Sequence, residues 1–525
     1  MTNGGLSARN SHALLSALLV LSMAGCALHD TDSATDPNQA GALNGLPPTF
    51  DTFTQTDVTP TQDLTTLDAD QLARTLGSWW EIFDDKTLDA LVLRAIEANW
   101  RLQAALENIE QARSQIVRVN ASALPSLNAG VTASRQQTGT TSKLGFGLYD
   151  LYGFNASLAW EPDVFGQVQA RVDTASRDAQ ALAFDRRALM VSITAELVDA
   201  YAQLRAVQQQ LSLTRQYAGL LEQQIRLTGR LADSGLVAPA QVAQTRQAYL
   251  TTQAQIPVLQ ARIESLITTC SILTGGFPAD LSKTLRKPAP MLSVHHPVPE
   301  TLPSQVLMQR PDIAAQQARI LASAAGVQAA EADFMPSFSI PLGTGYSTTP
   351  FDLLLNPASF IWSLGAGLTA PLYTGEELQA SLAIAQSVNR EDQLLYEQTV
   401  RQALKEVEDA VTDYQMSQQS LSSTQGMAQA QAATVVQQKS LFTTGQASRL
   451  QLNQALLDQL LASQSVIDAR YASAASLVML YRALGGGWHT ELDRSPTPPL
   501  TTESSDAHLT DNPVRTAPVE RAQVS

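Results

Sequence analysis

The sequence predicts a mainly α-helical chain that also carries the strands of a membrane β-barrel, with one unit of two strands plus a long helical hairpin present twice. Three observations predict this. Residues 166–276 form a long Ala-, Gln- and Leu-rich stretch interrupted by a single turn signal. Two short segments on either side of residue 140 alternate apolar and polar residues with period two. Both features return about 210 residues further on.

In the hairpin, Leu197, Leu204, Leu211, Ala218 and Ile225 fall seven residues apart, so one apolar seam persists over several helical turns. A first arm of roughly 65 residues at about 1.5 Å per residue spans on the order of 100 Å, wider than a globular domain. Asp233-Ser234-Gly235-Leu236-Val237-Ala238-Pro239 then reverses the chain. Glycine accepts positive φ, and proline suits the first turn of a new helix. The second arm returns to Thr274-Gly275-Gly276.

The 525 residues carry a formal charge of −15, and only 16% are charged. An acidic balance without a Lys/Arg block argues against a nucleic-acid partner. Residues 1–25 read as an export signal, because the apolar run from Ala13 to Val20 is too short to span a bilayer and ends in small residues. Leu21-Ser22-Met23-Ala24-Gly25-Cys26 resembles the lipobox of bacterial lipoproteins, which makes Cys26 the expected lipid-attachment site. Ala27, in place of Asp, favours sorting to the outer membrane under the lipoprotein rule. The other cysteine, Cys270, sits among Leu266, Ile267 and Ile272 and is expected in the core.

Residues 26–70 are rich in Asp, Thr, Pro and Gly and read as an extended tether. Trp79 and Trp80 are expected to be packing anchors and, with Phe83, precede one helix expected from about Lys86 to Ala121. Leu127, Ala129, Val131 and Ala133 then share one face of a strand, as do Tyr152, Phe154, Ala156, Leu158 and Trp160 in the next. Alternating segments of about ten residues with aromatics near the ends suit a membrane barrel. Residues 277–303 are a proline-marked linker, in which His295-His296 has no neighbouring ligands for a metal. The second unit, 304–487, opens a helix at Arg310-Pro311-Asp312-Ile313 and starts a strand at Phe338, Ile340 and Leu342. Phe360, Trp362, Leu364, Ala366 and Leu368 make the next strand, and a second hairpin runs from Gly375 to about Leu484. Residues 488–525 read as a disordered tail.

Four strands per chain leave two open sheet edges, and each unsatisfied backbone group in hydrocarbon costs on the order of several kcal/mol. The strands must therefore close with those of other copies. Two chains give eight strands and a filled interior; three give twelve and a water-filled lumen.

Trp79-Trp80 through Arg113, Trp160-Glu161-Pro162-Asp163-Val164-Phe165-Gly166, Gly235-Leu236-Val237, Arg310-Pro311-Asp312-Ile313 and Ala483-Leu484-Gly485-Gly486-Gly487-Trp488 together resemble the outer-membrane factor family, the TolC/OprM-like channels, in its NodT-like lipoprotein branch. The resemblance covers about residues 70 to 488, with 71–276 as the first repeat. It implies a homotrimer with a 12-stranded barrel and a periplasmic α-barrel. The implied role is passive outer-membrane exit for drugs or small solutes, with a periplasmic adaptor protein, an inner-membrane RND-type transporter and outer-membrane lipid as partners and no cofactor. It also implies adaptor docking at the tips Gly235, Leu236, Val237, Gly445, Gln446 and Ala447. Relatives narrow near the tip at a leucine ring, an aspartate one turn deeper and a nearby arginine. Here the leucine matches Leu450, but Gln454 and Leu457 replace the charged pair, and Gln244 is the uncharged counterpart in the first hairpin. Asp458 lies one turn further in, so the expected constriction is Leu450, Gln454 and Asp458.

The inventory argues against an enzyme. The histidines are scattered, no glycine-rich phosphate loop follows a strand, and no nucleophile or metal motif appears. The alternatives are the outer-membrane channel of a type I protein secretion system and an anchored coiled-coil spacer without a pore.

Overall fold

The computed structural model describes residues 76–137, 147–292 and 304–488. After a 3-10 turn at Trp79–Phe83 come α1 (Lys86–Ala98), α2 (Trp100–Asn120), β1 (Ser126–Gln137), β2 (Leu148–Trp160), α3 (Gln167–Asp233), α4 (Pro239–Leu273) and the single turn α5 (Ser282–Leu285). The second half holds α6 (Pro311–Ala332), β3 (Ser337–Thr348), β4 (Phe360–Leu364), β5 (Gly367–Thr369), α7 (Glu377–Thr443) and α8 (Arg449–Ala483). Both hairpins have arms of 67 and 35 residues. Every hairpin boundary recurs at an offset of 210, so this is a duplicated unit of two strands and one long helical hairpin. The longer arms, at about 1.5 Å per residue, reach about 100 Å.

The seam expected along α3 is buried at Leu197, Leu204, Leu211 and Ala218, while Ile225 is half-buried and Leu221 and Thr228 take over towards the turn. A straight α-helix drifts about 20° per heptad against a strict seven-residue repeat, so a long seam steps to a neighbouring row.

The helices lie side by side in one layer. Helices α2 and α4 both pack along one flank of α3, α6 and α8 pack between α3 and α7, and α7 closes the other flank. Two short helices thus stand end to end beside each long one, 21 and 35 residues in the first repeat and 22 and 35 in the second. The joints are built alike. Asn99 Nδ2 donates to the carbonyl of Leu273, the last residue of α4, at 2.8 Å. Arg310 Nη1 donates to the carbonyl of Ala483, the last residue of α8, at 2.6 Å. Each side chain thereby fills a carbonyl that a helix C-terminus leaves unpaired.

One sequence expectation is corrected at the first joint. The segment from Lys86 to Ala121 is not a single helix, because Asn99 adopts an extended conformation (φ −65°, ψ 124°). Its side-chain oxygen accepts from the backbone N–H groups of Arg101 and Leu102, capping α2. The apolar face continues through the break in Leu91, Ala95, Leu102 and Ile109, so periodicity alone does not register it.

The largest buried core surrounds these joints. Trp79 and Trp80 are fully buried, as expected of packing anchors, and Trp79 stacks on Tyr481 at 5.1 Å. Gly487 N donates to Leu76 O at 2.8 Å, tying the C-terminal end of the described chain to its start. Cys270 is free and buried in this core, and burial pushes its thiol up to about 12, so it is a packing residue and not a nucleophile.

The strands form one antiparallel sheet in the order β1-β2-β3-β4, with β5 also on β3. β4 and β5 keep one register against β3, Leu364 facing Leu342 and Leu368 facing Phe338. The gap between them faces Pro341, whose carbonyl accepts from Gly365 N but which has no N–H to return. The strand expected from Phe360 to Leu368 is therefore one strand with an interrupted ladder.

The joint has little room for change. Gly275 has φ +73°, and a Cβ there would lie 2.1 Å from the carbonyl oxygen of Ala98. Gly235 has φ +74° with open space around it. We expect Gly275→Ala to abolish folded protein in detergent extracts. Gly235→Ala should cost only about 1 kcal/mol of backbone strain and still give a cooperative melt. Equal melting behaviour of the two variants would contradict this packing.

Candidate functional site

The sheet has two chemically distinct faces, because directly opposed residues of antiparallel strands project to the same side. Leu127, Leu158, Leu342 and Leu364 form one row across all four strands; Ala129, Ala156, Thr344 and Trp362 form the next; Val131, Phe154, Tyr346 and Phe360 form a third. This apolar face is uncovered: Leu127 is 72% exposed, Val131 76% and Trp362 69%. The opposite face carries Asn128, Ser157, Gly343 and Ser363 in one row and Gly130, Asn155, Gly345 and Ile361 in another, and no described strand residue on it is charged. The ion pair Arg135–Asp150 lies on the apolar side, outboard of the last aromatic row.

Aromatic residues bound the apolar face. Trp160, at the helical end, donates through Nε1 to Ala123 O at 2.9 Å. Tyr152 and Tyr346 mark the far end, where the Tyr346 and Phe360 rings meet edge to face at 5.7 Å. From Trp160 to Tyr152 the strand rises about 26 Å at about 3.3 Å per residue, close to the height of an outer-membrane barrel's apolar band.

Sheet and helical layer are open on the same two flanks. β1 follows α2 on one flank, and β4 with β5 leads into α7 on the other. The outer edges of β1 and β4 have no partner among the described residues, and the flanking helices leave Leu250 of α4 and Ile384 and Leu394 of α7 exposed. α4 is the one described helix long and apolar enough to cross a membrane. It packs antiparallel along α3 as the return arm of the hairpin.

At the end remote from the sheet are the two hairpin turns. Gly235 N donates to Ala232 O and Leu236 N to Leu231 O; Gly445 N donates to Phe442 O and Gln446 N to Leu441 O. Both glycines have positive φ, 74° and 77°. The two turns are thus the same C-terminal cap, with the orphan carbonyls of the long arm satisfied by the turn itself. The next helices start differently, α4 on Pro239 and α8 on a reciprocal capping box between Ser448 and Gln451. Leu236 and Gln446 project into solvent, Val237 and Ala447 are half-buried, and the Arg449 guanidinium lies over the Phe442 ring at 5.4 Å.

Leu450, Gln454 and Asp458 follow on α8. Leu450 and Asp458 are half-buried, Gln454 is exposed, and Gln454 Nε2 donates to Asp458 Oδ1 at 2.9 Å. Gln244 is exposed on α4, while Leu457 is buried in the helix packing. Cys26 and the His295-His296 pair lie outside the described residues. Among the described residues, no three His, Cys, Asp or Glu side chains gather as a metal-holding group.

The sequence reading missed the polar links that hold the two hairpins together. Asn453 is buried on α8 and donates through Nδ2 to Leu220 O at 3.2 Å and Gln224 Oε1 at 3.1 Å on α3. Further from the turns, Gln210 Nε2 donates to Asp468, and the Tyr471 hydroxyl donates to Asp199 Oδ1 at 3.1 Å. Burial raises Asp199 above the ordinary carboxylate range, and burial with the Asp199 charge pushes Tyr471 up to about 12. A groove of about 650 Å³ runs over α3 beside these links, between Gln255 and Val258 of α4 and Leu460 and Gln464 of α8. In a chain so rich in Gln, Ser and Asn, one buried Asn carries no distinguishing sequence signal.

Asn453→Ala should therefore loosen the hairpins locally, by about 1–2 kcal/mol for the two lost hydrogen bonds. Amide hydrogen exchange should quicken in residues 217–228 and stay unchanged around Asp199. Uniform exchange along α3 would contradict this role.

Comparisons with known proteins agree with this geometry. The sequence model described as outer membrane efflux protein matches residues 91–266 and 302–486. The chain is 27% identical over 430 residues to a protein named probable efflux pump outer membrane protein TtgC from Pseudomonas putida, covering 81% of this chain and 88% of that protein. It is 28% identical over 443 residues to the pyoverdine export outer membrane protein OpmQ of Pseudomonas aeruginosa, covering 80% and 89%. Among solved structures, the outer-membrane channel OprN aligns with a TM-score of 0.71 and 28% identity, covering 82% of this chain and 98% of that one.

Proposed function

The chain belongs to the outer membrane efflux protein family, and from that premise we propose that it acts as a homotrimer whose twelve strands close a barrel in the outer membrane and whose helices continue it as a periplasmic tunnel. It is the outer-membrane exit channel of an efflux system. The observation that carries the trimeric reading is the pairing of a two-faced sheet with open flanks. The apolar face suits lipid, and the uncharged polar face suits a water-filled lumen. The free edges of β1 and β4 suit each other in neighbouring copies, since twelve strands leave a lumen where eight do not.

The proposal extends to partners and sites. A periplasmic adaptor protein docks at Gly235, Leu236, Val237, Gly445, Gln446 and Ala447, and delivers substrate from an inner-membrane RND-type transporter. Leu450 with Gln454 and Asp458 forms the constriction above the tips, and Cys26 carries the lipid anchor. A passive duct has no catalytic step, so substrate choice rests with the transporter. One similar protein is named for an efflux pump and another for pyoverdine export, which supports small-molecule efflux over protein secretion.

Three measurements test these readings. The purified protein in planar lipid bilayers should give stepwise conductance; trimers that insert without conducting would leave only an anchored spacer. Leu450→Ala should raise leak of large antibiotics into cells lacking the transporter; unchanged permeability would remove Leu450 from the constriction. Cys26→Ser should abolish incorporation of labelled palmitate while trimers still form; retained label would place the anchor elsewhere.

A further inference from the structure

The loop between β3 and β4, residues 349–359, lies at the end of the sheet opposite the helices and contains one charged residue, Asp352. Its apolar side chains point outward: Phe351 is 67% exposed, Leu353 41% and Leu355 73%. A loop expected to stand in water has an unusual composition here.

Its backbone is partly self-satisfied. Leu353 N donates to Pro350 O, Leu354 N to Phe351 O, Asn356 N to Leu353 O and Ser359 N to Asn356 O. The Asn356 side chain accepts from Ala358 N, and the Ser359 hydroxyl donates to Leu353 O. Pro350 and Pro357 have no N–H to satisfy. Five of its nine backbone N–H groups are thus paired within the loop; the others need polar partners, which the headgroup level supplies and the bilayer core does not.

Its direction is given by one contact. The Phe351 ring meets Tyr152 edge to face at 5.2 Å. Tyr152 lies on the apolar face of β2, opposite Thr348, so the loop folds back over the outside of its own sheet. It leans towards β2 and away from the open edge of β4, so a neighbouring copy joined at that edge does not cover it.

We propose that residues 349–359 form an interfacial anchor seated in the outer-leaflet lipid beside the barrel rather than across its mouth. The occupant is the acyl-chain region just beneath the headgroups, contacted by Phe351, Leu353 and Leu355 as a continuation of the apolar sheet face. The mouth is then not covered by this loop. The inference rests on the barrel reading.

The test is nitroxide labelling of the full chain in lipid vesicles, at Leu355→Cys, at Trp362→Cys on the apolar sheet face and at Thr444→Cys in the α7–α8 turn. Cys270 is buried and does not compete for label. Collision with oxygen relative to a water-soluble nickel chelate should be several-fold higher at positions 355 and 362 than at 444. Oxygen preference at 362 with nickel preference at 355 would overturn the anchor and leave the barrel intact. Nickel preference at 362 would overturn both. Preference for oxygen at both, lower at 355 than at 362, would confirm a shallow seat.

Discussion

The structure depends on the unpaired backbone of β1 and of β4 with β5. About half of the N–H and C=O groups of a twelve-residue outer strand point away from its sole neighbour. In hydrocarbon, about a dozen such groups at several kcal/mol each amount to tens of kcal/mol, more than the net stability of an ordinary domain. No arrangement of four strands within one chain removes that cost while the apolar face meets lipid. The helices repeat the situation in another form, with apolar side chains left open on the two flanks that continue the sheet edges. The chain is a segment of a closed wall.

The duplicated architecture explains how such a segment is made economically. The hairpins are interchangeable in length and turn geometry, yet the joints use different chemistry at equivalent places. Asn99 caps a helix and reaches one carbonyl. Arg310 reaches the equivalent carbonyl while paired with Asp312 at 2.7 Å and Glu406 at 2.9 Å. Burial alone would lower the guanidinium pKa, and the two carboxylates outweigh it, so Arg310 sits above its ordinary value. Gly166 and Glu376 both take positive φ before the long arms, a conformation that costs glycine nothing and glutamate about 1 kcal/mol or more. Pro257 stands inside α4 where α8 has Ile467, so one return arm lacks a ladder hydrogen bond that the other keeps.

Much of this was legible in the amino-acid order. Helices of 67 residues persist through so many turns that the apolar period is unmistakable, and glycine followed by a helix-starting residue marks each reversal. The alternation in β1 and β2 named the lipid-compatible face correctly, because period two assigns every residue to a side. The break at Asn99 was not legible, since a capping residue inside a continuous apolar stripe leaves the stripe intact. The interrupted β4 ladder could have been anticipated from Pro341 in the facing strand, which has no N–H to offer. Asn453 and the outward loop at Phe351 depend on which elements meet in space, and no local pattern encodes that. Leu450, Gln454 and Asp458 have defined positions on α8, but their role depends on neighbouring copies, which one chain does not contain.

The central claim is that the free edges of the sheet are joined only by other copies of the same chain. Electron cryo-microscopy of the protein reconstituted in lipid nanodiscs tests it most directly. The account predicts a three-fold ring in which β1 of each copy pairs with β4 of the next around one continuous lumen. Single copies in the lipid disc, or an eight-stranded closed dimer, would contradict it.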